Sequence, residues 1–228
     1  MKIGFGLAAA TAALALAAPA SAVNLVTNGD FEAGNTGFVS DYTYRAGGNF
    51  SAAEYTVGNN PRAFNSNFVQ AGDHTTGDGL MMIVNGSTNL NDVVWQSSNI
   101  AVDGMTDYFF EAFVMNVFAA APPVLTFTIS LDGGVEQVLD TLSVPIQTGI
   151  WNGLSTSFNS GTATDAVLRL RNAQTAFGGN DFAIDDINLS ITSIVNPGDP
   201  NPVPAPAAAV LMALGLAAVG GARLRRKA

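Results

Sequence analysis

YFFEAFVMNVF, residues 108–118, has apolar or aromatic side chains everywhere except Glu111 and Asn116. In an extended strand, alternate side chains share a face. Phe109, Glu111, Phe113, Met115 and Val117 then lie on one side, and Phe110, Ala112, Val114, Asn116 and Phe118 on the other. A surface strand is apolar on one side only. This one is apolar on both, so it reads as a central strand covered on both faces, or as the floor of a groove.

Outward from this strand, alternation and short apolar runs continue, broken by Gly, Asn and Asp clusters, and no helical period appears between 24 and 194. The pattern predicts strands at 24–27, 53–57, 80–84, 92–100, 107–118, 124–131, 135–144, 150–158, 165–171 and 181–191. Asp132-Gly133-Gly134 marks a hairpin turn between two of them. Short strands at such even spacing, with no internal repeat, predict an all-β fold, an antiparallel β-sandwich of jelly-roll type over 23–193.

The two ends follow a different grammar. Lys2 precedes an uncharged run to Ala18, followed by Pro19-Ala20-Ser21-Ala22. Small residues at Ala20 and Ala22 fit the narrow pocket of a signal peptidase, so 1–22 reads as a secretory signal cleaved after Ala22. At the other end, 194–206 holds five of the ten prolines and reads as an extended linker. Residues 207–222 are apolar and uncharged, and Arg223, Arg225, Arg226 and Lys227 close the chain. The apolar run is slightly short for a bilayer span, and the basic cluster would stay cytoplasmic. A permanent single-pass anchor is one reading of 207–228.

A proline motif, an apolar helix and a terminal arginine cluster together resemble the PEP-CTERM sorting tail. That resemblance implies a partner, an exosortase-like membrane enzyme that cuts near the motif and releases or transfers the protein to the cell surface. The motif here is Pro204-Ala205-Pro206, with alanine where the family usually has glutamate. The implied localisation is export, transient inner-membrane anchoring through the C-terminal helix, then the surface or extracellular matrix.

Charge narrows the function. Between 23 and 202 there is no lysine and no cysteine; Arg45, Arg62, Arg169 and Arg171 face all 18 acids, a formal charge of −14. Nucleic acid needs a basic footprint, so it is excluded as a partner. An anionic polymer would be repelled unless cations bridged it. Without disulfides the domain relies on packing, or on a metal.

NLVTNGDFEAG at 24–34 and NDFAIDDINLSI at 180–191 resemble the first and last strands of galactose-binding-like jelly rolls, including carbohydrate-binding modules of families 4 and 9. The resemblance implies that these segments lie side by side with a structural calcium between them. Asp30, Glu32, Asp185 and Asp186 are the matching positions. In a regular strand Asp185 and Asp186 point to opposite faces, so both serve one site only if a bulge intervenes. The fold also suggests sugar binding. Tyr42, Tyr44 and Tyr55, in polar surroundings, could present a platform. Glu111, between Phe109 and Phe113 on its face, could line a groove. Trp95 and Trp151 sit among small and apolar residues and read as core.

Catalysis has little support. His74, the single histidine, lies in Gly72-Asp73-His74-Thr75-Thr76-Gly77-Asp78 and reads as a hydrogen-bonded loop. Neither GxSxG nor HExxH occurs. The sequence therefore reads as a non-enzymatic, exported surface or matrix protein. The alternatives are a module binding exopolysaccharide and a hydrolase of that polymer.

Overall fold

The computed structural model describes residues 23–48 and 51–195. In chain order the first elements are β1 (Phe38–Val39), β2 (Thr43–Tyr44), β3 (Glu54–Gly58), α1 (Pro61–Phe64), β4 (Met81–Asn85), β5 (Val93–Ser97) and β6 (Ile100–Ala101). The longer strands follow: β7 (Asp107–Asn116), β8 (Val124–Leu131), β9 (Gln137–Ser143), β10 (Trp151–Asn159), β11 (Asp165–Asn172) and β12 (Phe182–Ser190).

They form two sheets. One runs β1-β5-β11-β8-β9, with β6 also on β11; the other runs β10-β7-β12-β4-β3-β2. Every pairing is antiparallel except β2 with β3. The product is the β-sandwich that the alternation predicts.

β7 shows why the sheets stack. Phe110, Ala112 and Val114 point into the main core, which also holds Trp95, Phe127, Ile129, Leu168 and Leu170 from the facing sheet. Phe110 meets Phe127 edge-on at 4.8 Å between centroids. Each such buried side chain contributes about 1.5–3 kcal/mol. Phe113, Met115 and Val117 point the other way, into a smaller cluster with Met81, Ile83 and Ala183 that Phe68 and Trp151 cover. The central strand is thus apolar on both faces because both are covered.

Several expectations shift. Residues 24–27 are not a strand. β12 bulges between Asp185 and Asn188, and the Asn24 side chain takes over the pairing there: its Nδ2 donates to Ile187 O (2.8 Å) and its Oδ1 accepts from Leu189 N (3.1 Å). Backbone bonds from Leu25 N to Leu189 O and from Ile187 N to Gly29 O, both 2.9 Å, keep the two segments adjacent. The predicted 92–100 strand splits into β5 and β6 at Ser98-Asn99. β1, β2 and α1 were not anticipated; Pro61 starts α1 behind Asn60, whose side chain accepts from Arg62 N. The segments read as signal (1–22), as the Pro204-Ala205-Pro206 motif and as the helix with its basic tail (207–228) lie outside the described residues.

Candidate functional site

One end of the second sheet opens into a cavity. β7 leaves the sheet where β12 enters it, because Phe182 pairs with Asn116. β4 leaves and β3 enters at the same end, with Phe182 opposite Val84 and Asn85 opposite Glu54. The chain before β12, after β7, after α1 and before β3 therefore converges there. The cavity measures about 540 Å³ and is lined by Ser51, Asn65, Asn67, Asn85, Phe118, Phe177 and Asp181, among others. Its size falls in the ~300–1,000 Å³ range of small-ligand sites.

Asp181 is held in the wall. It is 6 % exposed, and Val117 N donates to its backbone oxygen at 3.1 Å. Its carboxylate accepts a single hydrogen bond among the described residues, from Gly86 N at 3.0 Å, and no described cation pairs with it. Burial pushes the carboxyl up to about 6, against the Gly86 N–H, which lowers it. An ionised carboxylate offers about four acceptor sites, and one donor among the described residues uses them here.

Phe177 stands on the rim, 88 % exposed, in the loop between β11 and β12. Gly179 sets that loop: its φ is +118°, and a Cβ there would collide with Ala121 N. Asn180 follows at φ +57°, its Nδ2 donating to Ser87 O and Gln174 O at 2.9 and 2.6 Å. Its Oδ1 is buried without a partner among the described residues and lies where a Cβ on Gly86 would fall. The site thus offers an aromatic surface, amide side chains and one underused carboxylate acceptor. None of these residues was singled out from the sequence. Phe177-Gly178-Gly179-Asn180-Asp181, an aromatic followed by two glycines before the last strand, was the available signal.

The residues that the sequence did single out lie elsewhere. Tyr42 is buried, and its hydroxyl accepts from Ser87 N at 3.0 Å. Tyr55 is buried, and its hydroxyl donates to Asn35 Oδ1 at 2.8 Å. Tyr44, 40 % exposed, packs 5.4 Å from Tyr55. The three form no platform: two of them spend their rings on the core. Glu111 lines no groove either. It is fully buried and accepts from Ser155 Oγ (2.9 Å), Asn188 Nδ2 (3.1 Å), Ile194 N (2.8 Å), Val195 N (3.4 Å) and Ser193 Oγ. Its face is roofed by 193–195, so the carboxylate fastens the chain beyond β12 instead of meeting solvent.

The β12 bulge, with Asp186 at φ +46°, turns both aspartates toward the 73–75 loop. Asp185 Oδ2 accepts from His74 N at 2.8 Å and from Thr75 N and Oγ1 at 3.3 Å. Asp186 Oδ2 lies 2.6 Å from His74 Nδ1, and its Oδ1 accepts from Thr75 Oγ1 at 2.9 Å. Burial, and then the charge of Asp186, push the Asp185 carboxyl up to about 8. The His74 ring stacks on Phe113 at 3.7 Å and meets Trp151 edge-on. Trp95 and Trp151 are core, as read from sequence.

Glu32 is occupied separately, accepting from Leu80 N at 2.7 Å, and Asp30 accepts from Glu32 N at 3.4 Å. Among the described residues no group of three or more His, Cys, Asp or Glu is placed to hold a metal. As arranged, these carboxylates face N–H and O–H donors and do not make the oxygen cage that calcium requires.

Comparison with known proteins adds likenesses of outline. No family model and no curated protein matches the sequence. Among solved structures, the enzymatically active domain of bacteriophage CBA120 tailspike protein 4 is 13 % identical over 74 % of this chain and 21 % of its own, with a TM-score of 0.49. The CBM22-1–CBM22-2 tandem domain from Paenibacillus barcinonensis Xyn10C is 18 % identical over 80 % of this chain and 50 % of its own, at 0.47. A CBM4 structure is 11 % identical over 73 % of this chain and 99 % of its own, at 0.42.

Proposed function

We propose that this chain is an exported, non-enzymatic β-sandwich that binds carbohydrate in the cavity beside Asp181. The observation that carries the reading is Asp181 itself: a nearly buried carboxylate with one N–H partner among the described residues, in the wall of an open cavity with an exposed phenyl ring on its rim. A pyranose presents C–H groups to an aromatic face and hydroxyls to carboxylate and amide groups. Phe177 supplies the first; Asp181, Asn65, Asn67 and Asn85 supply the second. This supports sugar binding over a purely structural role. Glycan hydrolysis commonly uses two carboxylates about 5 to 9 Å apart, and among the described residues the cavity wall carries one acid, Asp181.

Affinity electrophoresis through gels loaded with bacterial exopolysaccharide tests the reading. The protein is expected to be retarded, and Phe177→Ala to run about as fast as in an empty gel. Equal retardation of both would move the site elsewhere.

Two further parts of the proposal rest on resemblance. The apolar segment 207–222 would hold the chain in the inner membrane until an exosortase-like enzyme cuts near Pro204-Ala205-Pro206 and passes the domain to the surface; intact-mass measurement of the surface-released protein should show both ends removed. Calcium at Asp30, Glu32, Asp185 and Asp186 would require their present hydrogen bonds to open. It predicts a lower melting temperature in chelator, and an unchanged melt would remove it.

A further inference from the structure

We infer that the Asp181 cavity selects glycans bearing a free amine, that is, de-N-acetylated amino sugars carrying an ammonium group. The inference rests on the carbohydrate reading above and adds the charge of the ligand to it. Three observations converge. Among the described residues the only charged side chain lining the cavity is Asp181, and no described lysine, arginine or histidine lines it. The carboxylate meets one backbone N–H and no cation among the described residues. The chain from 23 to 202 carries four arginines against 18 acids.

A carboxylate in such a wall has lost most of its water and gained little in return. A hydroxyl donor restores one neutral hydrogen bond. An ammonium restores a charge-assisted one and neutralises the group, which makes it the stronger partner. A uronate or sulfated sugar would bring a second negative charge beside Asp181 with nothing to offset it. The acidic surface acts in the same direction at long range: it draws cationic polymer toward the domain and keeps anionic polymer away. The amides of Asn65 and Asn67 and the ring of Phe177 suit a pyranose of either kind, so Asp181 alone makes the distinction.

Calorimetry of the full chain with three short probes tests this: a glucosamine oligomer, its fully N-acetylated counterpart, and a uronate oligomer of the same length. At pH 7 the amine oligomer is expected to bind at least tenfold more tightly than the acetylated one, with the uronate not binding. Asp181→Asn should erase that preference, and Phe177→Ala should weaken both remaining ligands. General attraction to an acidic protein would instead survive Asp181→Asn almost unchanged, because one acid of 18 is removed; that result overturns the inference. Equal binding of the amine and acetylated oligomers overturns it as well and leaves the carbohydrate reading standing. Absence of binding to these three and to neutral exopolysaccharide brings down both.

Discussion

Glu111 and Asp181 are two carboxylates buried in or beside neighbouring strands of one sheet, and the fold treats them in opposite ways. Glu111, in the middle of β7, collects donors from Ser155, Asn188, Ser193, Ile194 and Val195. Asp181, at the mouth of β12, collects one among the described residues, from Gly86. Burial without donors costs free energy. Glu111 avoids that cost by tying down the chain beyond the last strand. Asp181 bears it while facing a cavity. A saturated carboxylate is a fastening, whereas an undersaturated one on a cavity wall is poised for a ligand.

The largest effect should come from breaking the fastening. Glu111→Ala leaves several buried donors without an acceptor and removes the clamp on 193–195, where Val195 sits so close to Gly153 that a Cβ there would lie 2.8 Å from Val195 Cγ1. We expect a loss of about 3 kcal/mol or more in urea unfolding; a loss below about 1 kcal/mol would contradict the clamp. Next comes Gly86→Ala, whose Cβ would collide with Asn180 Oδ1 and the Asn180 backbone oxygen. It should cost about 1–3 kcal/mol and also abolish retardation in the glycan gel, because Gly86 N holds Asp181.

Asp181→Asn should act in the reverse direction. The folded carboxyl is raised from 3.8 to about 6, so the folded state binds this proton more tightly than the unfolded one. The stability it contributes is fully present below about pH 3.8 and is lost as pH rises through about 6. The amide keeps the Gly86 bond and carries no charge. The variant should therefore be more stable than the parent at pH 8, by about 1–3 kcal/mol, and indistinguishable from it at pH 4. A variant that is less stable at pH 8 would make Asp181 a structural residue like Glu111.

Much of the sandwich was legible in sequence because alternation records which faces are covered. β8 spans 124–131 as predicted, and the double-sided apolarity of 108–118 foretold a strand between two cores. Residues 24–27 were misread because a side-chain amide, Asn24, stands in for ladder bonds, and no periodicity reports that. β1 and β2 were missed because two residues are too few to alternate. Tyr42 and Tyr55 looked exposed because their sequence neighbours are polar, yet their hydroxyls reach Ser87 and Asn35 and their rings turn inward. The cavity was invisible for a related reason. Its walls come from four strand ends distant in sequence, joined only by the β7–β12–β4–β3 order.

Amide chemical-shift mapping with whichever glycan retards the protein tests the central claim most directly. The account predicts shifts concentrated at Asn67, Phe118, Gly178, Gly179 and Asp181, with the outer face of the other sheet unmoved. That face carries Arg169 and Arg171, already paired with Gln96, Ser130 and Glu136. Shifts centred on those two arginines, with the Asp181 wall silent, would contradict it.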